Sequence, residues 1–184
     1  MSAHIAWIHV APIKALAIQE VDAVVLGPLG VEGDRRFCIV DEEARMLNAK
    51  RVPSFVAVRP LFTDGELALR MPDGTDVTGP VALGAALGVT IYGRSVPGRI
   101  VDGPWNGALS SLAGQRVRLV RFDEPGEGVD RADAGGGASL LSVASLAAIA
   151  DAARATAPVD PRRFRMLFGI GGVAAHAEDG WIGR

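Results

Sequence analysis

Short apolar runs separated by turn residues make up most of this sequence. Two of them, residues 55–59 and 66–70, flank the turn signal Thr63-Asp64-Gly65, and a second turn signal follows at residues 72–75. Clusters of Gly, Pro and Asp favour turns between extended segments. Short strands at this spacing are typical of a β-barrel or β-sandwich and not of alternating βαβ units.

The same patterns predict a β-rich α+β protein with two helices. A short helix lies within residues 101–114 and ends at Gly114, while the longest helix spans 143–155 with Ser142 as its N-cap. Residues 123–137 are polar and glycine-rich, which predicts a loop long enough to cover a site. The predicted strands are 3–10, 17–26, 37–40, 45–50, 55–59, 66–70, 89–92, 115–122, 139–141 and 162–168.

Composition limits the class of protein and its partners. The 184 residues are 49% apolar and 22% charged, and the net charge is −2. This balance predicts a globular protein that acts on a small molecule and binds neither nucleic acid nor a membrane surface. The single cysteine, Cys38, excludes an internal disulfide and fits a reducing compartment. With no long apolar span or leader in the sequence, we expect a cytoplasmic protein.

Four cations flank a predicted hairpin between residues 30 and 53. Arg35 and Arg36 precede its first strand, 37–40, while Lys50 and Arg51 close its second, 45–50. Antiparallel pairing would bring the four cations to one rim, where they would attract an anion. The alternative is that they form ordinary ion pairs with neighbouring carboxylates at a solvated edge.

Three groups of residues resemble the MOSC family, named after the C-terminal domain of molybdenum cofactor sulfurase and including the mitochondrial amidoxime reducing component. The first comprises residues 33–37, Val40-Asp41, 48–51 and Pro53. The second is the 102–120 segment, and the third is Phe164-Arg165 followed by 177–183. The resemblance implies an N-terminal β-barrel-like domain over residues 1–95 and a MOSC-like domain over 96–184.

The resemblance also implies a site for the molybdenum cofactor, whose anionic groups are held by cations and helix-end donors. It assigns this role to Lys14, Arg35 and Arg165, and it places a metal-binding cysteine after residue 184. Ala15 and Leu167 stand where the family has serine and asparagine. We therefore expect weak binding of the intact cofactor, and no residue of the chain is predicted to ligate a metal. The full set of candidate cofactor contacts is Lys14, Arg35, Arg36, Arg51, Ser142 and Arg165.

Three functions are compatible with these residues and with the family resemblance. The resemblance implies a molybdenum-cofactor oxidoreductase acting on N-oxygenated compounds, or a sulfur carrier. A second possibility is a metal-free isomerase, cyclase or lyase, in which Lys14 or Arg35 polarises an oxygen atom. His176 or Asp179 would then serve as acid or base, unless both are structural. The third is a non-catalytic ligand-binding barrel.

Overall fold

The computed structural model describes residues 2–128 and 138–181, and these form thirteen strands and two α-helices. The predicted β-rich α+β class is confirmed, and α2 is the longest described helix. The four sheets of the described chain are open and do not close on themselves. The strands are β1 His4–Val10, β2 Gln19–Glu20, β3 Leu26–Gly27, β4 Gly30–Val31, β5 Phe37–Val40, β6 Arg59–Thr63, β7 Glu66–Arg70, β8 Asp76–Pro80, β9 Ala82–Ile91, β10 Arg94–Asp102, β11 Arg118–Phe122, β12 Leu140–Ser142 and β13 Phe168–Gly171, and the helices are α1 Trp105–Ala113 and α2 Val143–Ala152.

One sheet joins the two ends of the described chain in the order β12-β13-β1-β2. Strand β1 runs antiparallel to β13, with His4 opposite Gly171 and Ile8 opposite Phe168. Strand β12 pairs parallel to β13 and leads directly into α2.

A second sheet has the order β5-β11-β10-β9, and all its pairings are antiparallel. Strand β5 is buried on both faces, as its continuous apolar run predicts. Phe37 and Ile39 join one apolar cluster, while Cys38 and Val40 join another. This strand therefore anchors the residues that immediately precede it.

Strands β6, β7 and β8 form a third sheet that packs against α1. Trp105, at the start of α1, is fully buried. Its indole Nε1–H is shared between the carbonyl oxygens of Leu67 and Val77, both at 3.1 Å. As predicted, Gly114 closes α1 with a left-handed φ of 65°.

Three predicted strands are wrong because local polar contacts and prolines set another geometry. Residues 45–50 make only isolated bridges, and pairing gives way to a turn in which Asn48 Oδ1 accepts two backbone N–H groups. Residues 55–57 belong to a short 3-10 helix, Pro53–Ala57. It begins at a proline, whose fixed φ suits the start of a helix. Residues 162–168 begin as the 3-10 helix Pro161–Phe164, capped by Asp160, and become a strand only at Phe168.

Other segments differ in extent. The predicted 17–26 strand is reduced to β2 and the start of β3, whereas β8 and β10 were not predicted. Strand β10 contains Pro97 and Gly98, which interrupt a strand pattern in the sequence. Most of the predicted 123–137 loop, residues 129–137, lies outside the described residues. Neither α-helix is long and apolar enough to cross a membrane within the described chain.

Candidate functional site

Backbone hydrogen bonds attach the turn at residues 11–16 to the segment that enters β5. The Arg35 N–H donates to the Ala11 carbonyl at 2.7 Å, and the Phe37 N–H donates to the Pro12 carbonyl at 3.0 Å. In return, the Lys14 N–H donates to the Phe37 carbonyl at 2.8 Å. The turn that carries Lys14 is therefore fixed against the segment that carries Arg35.

Arg35 and Arg165 meet beside this turn. The Arg35 guanidinium pairs with Asp34, and its Nη2 donates to the Arg165 carbonyl at 3.2 Å. The Arg165 guanidinium in turn donates through Nη1 to the Leu16 carbonyl at 2.8 Å. Asp34 is 5% exposed and also accepts the Ala11 N–H at 2.9 Å. Two residues that the resemblance assigns to one site are thus in direct contact.

Among the described residues, Asp34 pairs with the Arg35 guanidinium, and its charge also acts on Arg165. The Arg165 Nη2 atom is buried and has no hydrogen-bond partner among the described residues. Burial, and next the Arg35 charge, lower the pKa of Arg165, while Asp34 acts in the opposite direction. Arginine nevertheless keeps its charge at any ordinary pH. An anion beside Arg165 would satisfy the buried N–H group and offset the repulsion.

Lys14 lies in the turn attached to the segment that carries Arg35, and it is 8% exposed. Its Nζ donates to the Gly128 carbonyl at 2.9 Å and lies 5.9 Å from the centroid of the Tyr92 ring. Gly128 packs on Arg35 so closely that a Cβ atom there would come within 2.1 Å of the Arg35 carbonyl oxygen. A third cation is therefore held beside the segment that carries Arg35.

Arg36 and Arg51 do not join these contacts in the described chain. The Arg36 Nη2 donates to the Asp123 carbonyl at 3.2 Å, and its buried Nη1 has no partner there. Burial and the Arg121 charge lower the pKa of Arg36. Arg51 is exposed in the Asn48 turn, because the hairpin arm expected to align it with Arg35 does not form.

Ser142 belongs to a different cluster, at the N-terminus of α2. Its Oγ accepts the Ser145 N–H at 2.9 Å, which confirms the predicted cap. The Glu178 carboxylate accepts the Ser142 N–H at 2.8 Å and the Ser145 hydroxyl at 2.7 Å. Burial alone would raise the pKa of Glu178, but these hydrogen bonds outweigh burial and lower it. The Ser142 N–H group therefore donates to a carboxylate of the chain itself.

His176 and Asp179, the candidate acid and base, are both exposed. Their side chains are 3.7 Å apart, with the His176 Nδ1 facing Asp179 Oδ2. The His176 N–H donates to Ser145 Oγ at 2.8 Å, so its backbone supports the cap of α2. Sequence reasoning missed Glu178, which lies between them, because its partners are more than 30 residues away in the chain.

A family model for the MOSC N-terminal β-barrel domain matches residues 2–102. The chain belongs to this family. Its relatives include a molybdenum cofactor sulfurase from Anopheles gambiae, which is 41% identical over 51 residues, or 28% of this chain and 7% of that protein. Mitochondrial amidoxime-reducing component 1 from Xenopus laevis is 28% identical over 116 residues, or 60% of this chain and 34% of that protein. The matched segment thus spans about a third of this relative and far less of the sulfurase.

A solution structure of a Bordetella bronchiseptica protein is also similar to this MOSC-family chain. The similarity covers 60% of this chain and 95% of that protein, with 16% sequence identity and a TM-score of 0.41.

The described residues of this MOSC-family chain suit an anion better than a metal ion. They contain no group of three or more His, Cys, Asp or Glu side chains placed to hold a metal ion. Cys38 is fully buried, and burial raises the pKa of its thiol, with the Lys14 charge acting weakly in the opposite direction. A metal-binding thiolate is therefore disfavoured at Cys38. The unpartnered N–H group of Arg165, in contrast, matches an anionic oxygen.

Two surface grooves of the MOSC-family chain lie away from the Arg35–Arg165 contact. One, of about 610 Å³, lies between the start of α2 and the β1 and β13 strands, with His4, Ala6, Val143 and Gly171 among its lining residues. The other, of about 350 Å³, lies beside α1 and includes Asn106. Neither is lined by Lys14, Arg35 or Arg165, so the assignment of these three residues to one cofactor site stays a prediction.

Ala15 and Leu167, which stand where the resemblance expects polar residues, are both buried. Ala15 is part of the cluster that contains Phe37. Leu167 packs with Val10 and Ile170 in a separate cluster. Both positions contribute to the apolar core, and neither supplies a polar side chain to the cation cluster.

Proposed function

We propose that this chain binds the anionic group of a small molecule of the molybdenum-cofactor type. Arg165 and Arg35 would be the main contacts, and Lys14 a third. The observation that carries the proposal is the buried, unpartnered Nη2 of Arg165 beside a second guanidinium group. The names of two relatives, a molybdenum cofactor sulfurase and an amidoxime-reducing component, support the choice of ligand class.

The surrounding contacts prepare both guanidinium groups for an anion. Asp34 holds the Arg35 side chain, and the Leu16 carbonyl holds one arm of the Arg165 fork. Because these contacts already restrict the side chains, less conformational entropy is lost when a ligand binds. Charge-assisted hydrogen bonds from guanidinium groups to an oxyanion are also among the strongest available. When bound, the molybdenum cofactor itself would supply redox or sulfur-transfer chemistry.

The described residues favour binding over acid–base catalysis at this cluster. Asp34 is the carboxylate in contact with Arg35, and its oxygens already accept the Ala11 N–H and the Arg35 guanidinium. His176 and Asp179 are exposed, and their described contacts join them to each other and to Ser145. We therefore propose a ligand-binding role for this part of the chain and assign no proton-transfer step to it.

Titration calorimetry of the 184-residue chain with inorganic pyrophosphate tests the proposal. Arg165→Gln removes the charge and most of the donors, so we expect pyrophosphate to bind about tenfold more weakly or worse. Lys14→Met should weaken binding in the same direction. Arg163→Gln is the matched control, because Arg163 is exposed two residues before Arg165.

Two outcomes would contradict the proposal. One is equal pyrophosphate affinity for the wild type and Arg165→Gln, provided that circular dichroism shows both to be folded. The other is an equal loss of pyrophosphate affinity in the Arg163→Gln control, which would indicate diffuse attraction to surface charge.

A parallel preparation from a host that makes molybdenum cofactor should contain well under one molybdenum per chain, since the described residues lack a metal-binding set.

A further inference from the structure

Tyr92 occupies the tip of the long β9–β10 hairpin and is the most exposed of the described aromatic side chains, at 65%. The hairpin turn consists of Tyr92 and Gly93, with φ angles of 46° and 85°. Two-residue turns with positive φ at both positions strongly prefer Asn or Gly at the first position. A bulky aromatic residue with positive φ is an outlier, so the turn itself does not explain why tyrosine is present.

The segment that follows β5 holds the end of β9 next to the hairpin turn. The Thr90 N–H donates to the Ala44 carbonyl at 2.9 Å, and the Met46 N–H donates to the Thr90 carbonyl at 3.0 Å. Ile91, directly before Tyr92, is fully buried. The backbone that carries the tyrosine ring is therefore fixed in position, although the ring is exposed.

This fixed position brings the Tyr92 ring to the Lys14 ammonium group. Lys14 Nζ lies 5.9 Å from the ring centroid, at the outer limit of a cation–π contact. Lys14 is 8% exposed, whereas Tyr92 is 65% exposed. The ring therefore contacts a buried cation and keeps most of its own surface open to solvent.

We infer that Tyr92 determines ligand specificity at the cation cluster by stacking against a flat conjugated ring that carries the bound anionic group. The inference rests on the proposed function, because the cluster must first bind an anion. An oxygen about 2.8 Å from Lys14 Nζ lies within about 9 Å of the ring centroid. One molecule with a phosphate attached to an aromatic ring can therefore contact both the Lys14 ammonium group and the Tyr92 ring.

The test compares inorganic phosphate with phenyl phosphate, which adds one aromatic ring to the same anion. Titration calorimetry would give the ratio of the two dissociation constants for the wild type, Tyr92→Phe and Tyr92→Asn. Phenylalanine keeps the ring, whereas asparagine suits the turn and removes the ring. We expect phenyl phosphate to bind about fivefold more tightly than phosphate to the wild type and to Tyr92→Phe. In Tyr92→Asn the two should bind equally.

The outcomes separate this inference from the proposed function. If phosphate binds and Arg165→Gln weakens it, but the preference for phenyl phosphate is absent or survives in Tyr92→Asn, the inference is wrong and the proposed function stands. If Tyr92→Asn binds phosphate more tightly than the wild type does, the ring hinders access to the anion site, and this result would also overturn the inference. If phosphate binds to none of the proteins, both proposals fail.

Nuclear magnetic resonance provides a second, direct reading, because Tyr92 is the only tyrosine of the chain. Stacking should move its ring resonances on addition of phenyl phosphate much more than on addition of phosphate. Equal shifts for the two ligands would contradict stacking. Both measurements use the 184-residue chain.

Discussion

The Arg35 guanidinium donates to the Arg165 carbonyl oxygen at 3.2 Å, across 130 positions of sequence. The two arginines also repel each other, as the lowered pKa of Arg165 reflects after the larger effect of burial. Asp34 and the backbone carbonyl groups of Arg165 and Leu16 offset this repulsion. The contact therefore depends on a small number of partners that can be removed one at a time.

Removing the charge of Asp34 should destabilise the fold. Asp34→Asn can keep the hydrogen bond from the Ala11 N–H but removes the negative charge that pairs with Arg35. We expect the free energy of unfolding to fall by about 2–3 kcal/mol, since breaking a largely buried ion pair leaves an uncompensated charge. Urea denaturation measures this loss. Asp76→Asn, which breaks an exposed pair with Arg70, should have little effect, and equal losses would refute the prediction.

His9 should make stability depend on pH. It is 2% exposed and stacks on Trp7, with ring centroids 4.2 Å apart. Burial, and to a smaller extent Arg162, lower the pKa of His9, while Glu20, Asp160 and the Met166 backbone oppose this effect.

Because the folded-state pKa is the lower one, the unfolded chain binds the proton first as the pH falls below about 6.5. The free energy of unfolding should therefore decrease between pH 7.5 and 5.5. His9→Phe keeps an aromatic ring beside Trp7 and should reduce this slope in urea denaturation. An unchanged slope in His9→Phe would assign the pH dependence to other groups.

Glu178 should stabilise the start of α2. Glu178→Gln removes a negative charge from a helix N-terminus and weakens the bonds from Ser142 and Ser145. We expect a loss of about 0.5–1 kcal/mol at pH 7, measured by urea denaturation. Because the pKa of Glu178 is lowered on folding, the difference should disappear as the pH falls below its ordinary range. Asp179→Asn, one residue further on and exposed, should change little at either pH.

Cys38 should be protected from thiol reagents in the folded protein. The thiol is fully buried in β5, and burial raises its pKa, so the reactive thiolate is scarce. We expect Ellman's reagent to modify the native protein far more slowly than the protein in concentrated urea. Rapid modification of the native protein would show that β5 opens readily or that the thiol is accessible.

Local signals in the sequence were sufficient to predict those strands and helix ends that are determined by the residues within them. The continuous apolar run 37–40 gave a strand buried on both faces, and Ser142 and Gly114 correctly marked helix ends. Strand β10 was missed because Pro97 and Gly98 usually interrupt a strand, although β9 and β11 pair with it on either side. Long-range pairing outweighs local preference at such positions.

In the candidate site, too, contacts between residues far apart in the chain could not be predicted from local sequence signals. The family resemblance assigns Arg35 and Arg165 to one site, but nothing in the spacing of these residues predicts the hydrogen bond between them. The pair between Arg35 and Asp34 joins neighbouring residues, as the alternative of ordinary ion pairs allowed. Glu178 could not be assigned its partners, because both are more than 30 positions away. Tyr92 escaped notice because its turn geometry and the nearby lysine appear only in three dimensions.

The pairing of β1 with β13 has a consequence for the order in which the protein can fold on the ribosome. Strand β1 leaves the exit tunnel before the other described strands, whereas its partner β13, residues 168–171, is the last of them. Until that partner emerges, β1 can pair only with the two-residue strand β2. While the residues between β1 and β13 are synthesised, an apolar strand edge is therefore unprotected, and strand edges of this kind promote association between nascent chains. This sheet can be completed only after β13 has been synthesised.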